Sequence, residues 1–350
     1  AEIWCYTPRI SYRAGEVIDF HVHSTRPSFE LEVTREGPTP ERVFVQSGIA
    51  ATAAATPDQS HMVGCDWPVA FQLIVDPSWR SGFYVVVVRL REPDGEVFER
   101  EHFFVLKPTV PAAASSIAFV VSTCTMNAYN DWGGGNSYHG EGGSPRFKQA
   151  NARTSLRRPW SRGLVKLPVG APRAVSTTEL PPFALPQLPA HPWAHHYGYA
   201  RDYADASWAL YGKLFVEWAE ANGYTLDYYS QHDLHDDPQT LVPYRLSVIV
   251  GHDEYSSWPM RQALENQLAA GGNHARFAGN NIWQVRYEDG GTTFVNHKDE
   301  TTDPLLGTDQ ERYVSNAWDL PITGWPLTKT FGLTGSGAIH AMYGGAAPRA

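Results

Sequence analysis

An imidazole and a carboxylate stand two residues apart at the end of an apolar run in this chain. The run Leu246-Ser-Val-Ile-Val-Gly leads into His252-Asp-Glu254-Tyr-Ser256, a pattern typical of a buried parallel strand that opens into a loop. If the strand geometry continues past the glycine, His252 and Glu254 point to the same side. Such a pair suits metal ligation or acid–base chemistry. The competing interpretation is that both side chains cap the helix that follows.

Polar side chains also follow other candidate strands. The carboxyl ends of parallel strands lie on one edge of a sheet, which is where ligands bind. We therefore expect Tyr129 and Asn280 to converge with the histidine and the glutamate. A packed tyrosine ring and a turn at Asn280-Asn281 are the alternative interpretations. The polar strand ends are Asn127-Ala-Tyr129-Asn130-Asp131-Trp132, Ser230-Gln-His232-Asp233 and Gly279-Asn280-Asn281.

The four residue types favour a metal centre with oxygen ligands. Glutamate and tyrosinate oxygens are hard ligands, whereas imidazole suits iron, zinc or copper. A phenol has a pKa of about 10 and loses its proton only to a strongly Lewis-acidic cation. Tyr129 with Glu254 therefore indicates ferric iron more than zinc, and His252 is a further candidate ligand. Asn280 can hydrogen-bond an amide or a developing oxyanion.

Composition excludes several classes of partner. The net charge of −9 argues against nucleic acid and anionic membranes as partners. No apolar run is long enough to span a bilayer. The cysteines Cys5, Cys65 and Cys124 form no CxxC pattern, so we expect buried free thiols and a cytoplasmic protein. The chain has no GxSxG elbow and no phosphate-binding glycine motif, which weakens serine-hydrolase and nucleotide-binding hypotheses.

We predict a mixed fold of two regions. Short alternating strands with turn signals indicate an immunoglobulin-like β-sandwich over 1–107. A linker at 108–116 leads to an α/β metal-site domain over 117–350, with a mostly parallel sheet, a glutamine-amidotransferase-like layout and a long loop at 133–205. Its predicted strands are Ile117–Val121, Tyr224–Tyr229, Leu246–Val250 and Ala275–Gly279, and its predicted helices are Trp208–Ala221 and Met260–Ala270.

From about residue 117 to 290 the chain resembles the large (β) subunit family of N,N-dimethylformamidase. The resemblance implies a mononuclear Fe³⁺ held by tyrosine and glutamate, in an amidohydrolase that splits small formamides. Tyr129 and Glu254 match the iron ligands of that family, and His252 and Asn280 match its neighbouring active-site residues. The similar segments are Ala128-Tyr-Asn-Asp-Trp-Gly-Gly134, Val250-Gly-His-Asp-Glu-Tyr-Ser256 and Gly279-Asn280.

One position departs from the family pattern. The second ligand tyrosine of the family lies in an Arg-Pro-Tyr motif, whereas this chain has Arg158-Pro159-Trp160. An indole offers no ligand atom of that kind. Either Tyr138, Tyr197 or Tyr199 replaces the tyrosine, or the site is altered.

We therefore expect a metal-dependent amidohydrolase that converts a small linear amide to a carboxylate and an amine. A homo-oligomer or a small accessory subunit is the expected assembly. Two alternatives stay open. One is a related hydrolase with zinc or manganese. The other is a binding module without catalysis, in which Trp132, Trp160 and Trp193 stack against carbohydrate or protein.

Overall fold

The computed structural model describes residues 1–140, 151–172 and 190–332, and parts of the long loop predicted at 133–205 lie outside these residues. The described residues form a mixed α/β fold with several sheets, both parallel and antiparallel. The strands are β1 (Ile3–Tyr6), β2 (Ser11–Tyr12), β3 (Val17–Ser24), β4 (Ser28–Arg35), β5 (Glu41–Ala50), β6 (Val69–Ile74), β7 (Gly82–Arg91), β8 (Val97–Leu106), β9 (Ile117–Val121), β10 (Arg153–Ser155), β11 (Asp227–Ser230), β12 (Leu246–His252), β13 (Tyr255–Ser257), β14 (Asn273–Gly279), β15 (Trp283–Glu288) and β16 (Thr293–Val295). The helices are α1 (Ser60–Val63), α2 (Thr123–Tyr129), α3 (Ala190–Tyr197), α4 (Tyr203–Ala206), α5 (Gly212–Ala221), α6 (Gln231–Asp236), α7 (Trp258–Ala269) and α8 (Thr328–Phe331).

The first hundred residues form two sheets, in the orders β1-β3-β6 and β2-β8-β7-β4-β5. All pairings are antiparallel except that of β2 with β8. Alternating buried and half-buried residues in β3 and β4 follow the two-residue period of strands with one face in a core. A hydrophobic cluster between the sheets contains residues from both of them, including Phe20 and Val33. The immunoglobulin-like assignment stays a prediction.

Strand β7 belongs to two hydrophobic clusters at once. Its even-numbered residues pack between the two N-terminal sheets, and its odd-numbered residues pack with the α/β region. The ring of Phe83 stacks on that of Trp208, with centroids 3.9 Å apart. Full burial of such side chains stabilises a fold by about 1.5–3 kcal/mol each, so β7 contributes to both cores. The face toward the α/β region carries Phe83, Val85 and Val87. The face between the N-terminal sheets carries Tyr84, Val86, Val88 and Leu90.

The α/β region contains the predicted parallel sheet, in the order β11-β9-β12-β14. All of its pairings are parallel, so the carboxyl ends of its strands share one edge. Helix α7 begins where its sequence indicates, because the Ser257 hydroxyl accepts from the Met260 N–H and Pro259 occupies the first turn. The glutamine-amidotransferase-like layout stays a prediction.

A further sheet, in the order β10-β16-β15-β13, was not anticipated from the sequence. Three of its strands have only three residues, which is too few to establish a period of two. The fourth, β15, alternates apolar with polar residues over Trp283-Gln-Val-Arg-Tyr-Glu288, a strand signal that our prediction did not use. Strand β15 pairs with β13 directly after the Glu254 segment, with Tyr255 opposite Trp283. The first strand end also differs from the prediction. Strand β9 ends at Val121, and helix α2 then carries the chain to Tyr129.

A buried ion pair connects the N-terminal sheets with α5. The Arg35 guanidinium donates to both carboxylate oxygens of Glu220, at 3.0 and 2.6 Å, and Arg35 is 4% exposed. The Tyr228 hydroxyl donates to the same carboxylate at 2.7 Å. Removal of one partner from such a pair leaves a buried charge without compensation.

We expect Glu220→Gln to lower the free energy of unfolding by about 3–5 kcal/mol, because Arg35 stays buried without its counter-charge. Urea unfolding measures the change. Glu217→Gln on the same helix is the matched control. Its contact with Lys213 is a partly exposed one at 3.8 Å, so a change within about 0.5 kcal/mol is expected. Equal effects of the two substitutions would contradict a structural role for the buried pair.

Candidate metal centre

Glu254 lies at the centre of a cluster of oxygen-bearing side chains. It follows β12 on the carboxyl edge of the parallel sheet and is 5% exposed. The Tyr129 hydroxyl donates to its Oε2 at 2.9 Å, and the Tyr138 hydroxyl donates to its Oε1 at 2.6 Å. The indole N–H of Trp283 also donates to Oε1, at 2.8 Å. Two phenol oxygens therefore flank one carboxylate.

Helix α2 positions Tyr129. Its amino end is fixed by a side chain of the neighbouring strand–helix connection, because the Cys124 N–H donates to the Gln231 Oε1 at 2.9 Å. The Thr125 hydroxyl of α2 accepts from the Glu254 N–H at 2.8 Å. The same short helix therefore holds the backbone of the glutamate and presents the tyrosine to its carboxylate. Tyr129 lies beside Glu254 as predicted, although it stands at the end of a helix and not at the end of a strand.

Tyr138 reaches the glutamate from the loop that follows α2. The Asn136 amide nitrogen donates to the Tyr129 carbonyl at 3.1 Å, and the Asn136 Oδ1 accepts from the Tyr138 N–H at 2.8 Å. The Ser137 N–H donates to the Ala128 carbonyl at 2.9 Å. Asn136 therefore connects the two tyrosines directly and fixes the separation of their backbones.

Arg158 fixes the same loop through hydrogen bonds to its backbone carbonyls. It is buried, and its guanidinium donates to the carbonyls of Trp132, Ser155 and Gly135 at 2.6, 2.9 and 3.3 Å. Burial lowers the Arg158 pKa to about 10. The adjacent Trp160 is 5% exposed and packs in the core against Phe103. The Arg-Pro-Trp segment therefore supports the loop and presents no side chain to Glu254.

The three candidate replacement tyrosines have different surroundings. Tyr138 contacts Glu254, whereas Tyr197 packs on Trp193 and Tyr199 accepts a hydrogen bond from Arg162 at 2.7 Å. Among the described residues, Tyr138 is therefore the candidate that contacts Glu254.

His252 lies beside Glu254, with its Nε2 3.5 Å from the carboxylate Oε2. Its Nδ1 is 3.1 Å from the Asp205 carbonyl oxygen. A carbonyl can only accept, so this contact assigns the proton to Nδ1 and leaves Nε2 as the atom facing the glutamate. Gly251 makes this arrangement possible. Its φ is +109°, and a Cβ there would lie 2.5 Å from the Cβ of Tyr211.

Asn280 lies on the same sheet edge, one residue after the Gly279 that pairs with His252. Its φ of +58° is in the left-handed region, which asparagine tolerates better than most residues. The Asn280 Oδ1 accepts from the Ile282 N–H at 3.1 Å, and its carbonyl accepts from Arg276. These are the contacts of a turn, and the catalytic role of Asn280 stays a prediction.

The surroundings of Glu254 disfavour phenolate in the absence of another positive charge. Burial and the nearby Glu254 carboxylate raise the pKa of Tyr129 and of Tyr138 well above the usual value. The ammonium of Lys298 lies 3.1 Å from the centre of the Tyr138 ring. Burial lowers the pKa of Lys298 to about 7. Sequence reasoning missed both Trp283 and Lys298, because neither lies at the end of a recognisable strand.

Residues 31–346 match the family model described as N,N-dimethylformamidase beta subunit-like, C-terminal. The chain belongs to this family. It is also similar to the N,N-dimethylformamidase beta subunit of Alcaligenes sp., with 31% identity over 80 residues. That match covers 22% of this chain and 10% of the Alcaligenes protein, so most of the relative lies outside the comparison.

Similar solved structures include murine CRIg (14% identity, 31% of this chain, 100% of that chain, TM-score 0.22). They also include CopC from Methylosinus trichosporium OB3b (17% identity, 30% and 96%, TM-score 0.19). The PmoD soluble domain from Methylocystis sp. ATCC 49242 (Rockwell) is a third (14% identity, 30% and 89%, TM-score 0.19). TM-scores this low support no inference about fold or function.

Two cavities lie at opposite edges of the parallel sheet. A small one, of about 20 Å³, is lined by Met126, Tyr211 and His252. A larger one, of about 690 Å³, lies near Thr225 at the amino end of β11. The small cavity lies at the carboxyl edge of the sheet, which is where ligands bind in such sheets. In the larger cavity, Arg35 and Glu220 neutralise each other. No helix in the described ranges is long and apolar enough to cross a membrane.

The hydrogen bonds from the Arg158 guanidinium to three backbone carbonyls lead to a stability prediction. Arg158→Lys keeps the charge but loses the planar fork that bridges three carbonyls. We expect the free energy of unfolding to fall by at least about 2 kcal/mol, the size of a lost buried charged hydrogen bond. Arg157→Lys is the control, because Arg157 is partly exposed and pairs with an exposed Asp66. Denaturant unfolding of both variants tests this. An unchanged midpoint for Arg158→Lys would show that these hydrogen bonds do not stabilise the fold.

Proposed function

We propose that this chain is a metal-dependent amidohydrolase that hydrolyses a small linear amide of the formamide type to a carboxylate and an amine. One observation carries the proposal. The buried Glu254 carboxylate accepts hydrogen bonds from the phenols of Tyr129 and Tyr138, at 2.9 and 2.6 Å. Membership of the dimethylformamidase-like family supports the reaction class.

The donor set suits ferric iron. Tyr129, Tyr138 and Glu254 offer three hard oxygen ligands, and each phenol oxygen lies within hydrogen-bond distance of the carboxylate. Their two phenol protons now bind to the carboxylate, and a strongly Lewis-acidic cation would displace them. When bound, the ion supplies Lewis acidity that polarises an amide carbonyl. Zinc and manganese are the alternatives, but phenolate ligation favours a harder, more acidic ion.

The neighbouring residues would handle protons and orientation. His252 is oriented by the Asp205 carbonyl at its Nδ1, so its Nε2 is the atom that would carry a proton to the departing amine. The Asn280 Oδ1 is engaged by the Ile282 N–H, so its Nδ2 would be the group that donates to a developing oxyanion. The Lys298 amine lies over the Tyr138 ring. Because burial lowers its pKa to about 7, it carries its full positive charge only below neutral pH.

The proposed substrate is small because the family is named for the hydrolysis of a small formamide, and the cavity beside His252 is smaller still. A space of about 20 Å³ matches one water molecule, so even a formamide must draw on room outside it. We also propose an accessory subunit, because the Alcaligenes relative is named as a beta subunit. A cytoplasmic location remains part of the proposal.

The alternative binding module is less well supported. Trp160 is buried, so it offers no face to a ligand. The Trp132 ring packs edge-on against Trp4 and Trp67, with centroids 5.9 and 5.7 Å apart. The Trp193 ring stacks on Tyr199. The three tryptophans contribute to packing at separate places.

Metal content and a visible absorption spectrum of the purified protein test the proposed function. We expect near-stoichiometric iron with a tyrosinate-to-iron charge-transfer band, and hydrolysis in a screen of small amides. Glu254→Ala should lower the iron content at least about tenfold while the protein stays folded, because a ligand is lost. Zinc or manganese without the band would favour the altered-metal hydrolase. No metal after reconstitution would overturn the proposal.

A tyrosine comparison tests which residues hold the metal. Tyr138→Phe and Tyr129→Phe should each weaken or remove the charge-transfer band, since each loses one phenolate. Tyr199→Phe is the control, because its hydroxyl contacts Arg162 and not Glu254. A band that survives Tyr138→Phe but is lost in Tyr199→Phe would contradict the assignment.

A further inference from the structure

A second group of metal-ligating side chains lies on the far side of His252. His191 of α3, Asp202 just before α4 and Asp205 within α4 each place one ligand atom within 4.8 Å of the others. The His191 Nε2 is 3.3 Å from the Asp202 Oδ1 and 4.0 Å from the Asp205 Oδ2. Two carboxylates and one imidazole therefore face a common point, with α3 and α4 brought together there.

The group contains polar atoms that are buried and lack hydrogen bonds. Asp202 is 6% exposed, and its Oδ2 is buried without a hydrogen-bond donor among the described residues. The His191 Nε2 is also buried and, within the same residues, has no hydrogen-bond partner. Native proteins pair nearly all such atoms, because an unpaired one costs about 1–3 kcal/mol. A carboxylate oxygen and an imidazole nitrogen in this state require a ligand that both can bind.

Nearby cations do not meet this requirement. The Arg201 Nε is 3.7 Å from the Asp202 Oδ1, too far for a hydrogen bond, and the Arg201 side chain is half exposed. The Arg201 guanidinium instead lies against the His139 ring, with Nη1 2.5 Å from its Nε2. His139 itself approaches the Asp202 Oδ2 only to 3.8 Å. Among the described residues, the basic group nearest to the Asp202 carboxylate is therefore the His191 imidazole, 3.3 Å away, which is itself one of the candidate ligands.

We propose that His191, Asp202 and Asp205 bind a divalent transition-metal ion at a site separate from the Glu254 centre. One imidazole and two carboxylates form a donor set of intermediate softness, which suits Mn²⁺ or Zn²⁺. Three protein ligands leave coordination positions open for water, so the ion is exchangeable. The nitrogen that binds it is the orphaned Nε2 of His191.

The second site is connected to the first through one residue. Asp205 supplies a carboxylate to the proposed ion, and its carbonyl oxygen lies 3.1 Å from the His252 Nδ1. His252 in turn faces Glu254. An ion bound at Asp205 therefore fixes the segment that orients His252. Binding of an ion by His191, Asp202 and Asp205 does not require amide hydrolysis at the Glu254 centre.

Mn²⁺ titration, followed by loss of the free-ion electron paramagnetic resonance signal, tests the proposal. The starting protein is the full chain carrying Glu254→Gln, stripped of metal by chelation, so that the first site contributes no binding. We expect one Mn²⁺ per chain. Adding Asp202→Asn should weaken the dissociation constant at least tenfold, as should adding His191→Ala. His195→Ala, an exposed histidine on the same helix, should leave binding unchanged.

Thermal unfolding keeps the test decisive if a variant is poorly folded. Mn²⁺ should raise the midpoint of the Glu254→Gln protein with or without His195→Ala, and should leave unchanged the midpoint of the Glu254→Gln protein that also carries Asp202→Asn. Failure of the Glu254→Gln protein to bind Mn²⁺ or Zn²⁺ at millimolar concentration would overturn the proposal. Binding that Asp202→Asn and His191→Ala both leave unaltered would overturn it too. Neither outcome bears on the iron content of wild-type protein, so the two proposals can fail separately.

Discussion

A buried carboxylate determines how this protein is built around its candidate centre. Water cannot solvate Glu254, so protein groups must offer hydrogen bonds or positive charge to its oxygens. Three donors from three parts of the chain do so, namely Tyr129, Tyr138 and Trp283. Each donor belongs to a different element. Helix α2, the loop after it and strand β15 must therefore all pack next to Glu254.

The supporting contacts explain how such distant segments meet. Asn136 connects the backbones of the two tyrosines, and Arg158 fixes the carbonyls of the loop between them. Asp253, next to the glutamate, is buried on an ion pair with Arg276 and accepts from Gln231 at 2.8 Å. The residue before Glu254 is thus held in place by an ion pair and a hydrogen bond of its own. The site residues themselves are held mainly through Glu254.

Sequence reasoning recovered the parts of the site that depend on regular elements. The apolar run before His252 predicts β12, the serine and proline before Met260 predict the start of α7, and strand ends on one edge predict that Tyr129 approaches Glu254. It could not choose Tyr138 over Tyr197 or Tyr199, because that choice depends on an irregular loop with no periodicity. Lys298 follows β16, whose three residues are too few to show a pattern. Trp283 begins β15, whose alternation indicates a strand but not that its indole reaches Glu254. Asp202 and His191 meet only through the tertiary placement of two short helices.

Strand β7 has a consequence for how this fold is inherited. Its two faces complete two different cores, one between the N-terminal sheets and one beneath the parallel sheet. If the chain were cut near 108–116, the N-terminal fragment would expose Phe83, Val85 and Val87 to solvent. The C-terminal fragment would expose the aromatic rings around Trp208. The N-terminal sheets are therefore not a detachable module that recombination could exchange for another sandwich. A replacement would have to reproduce the outward-facing side chains of β7 as well, so we expect the two halves to have diversified together.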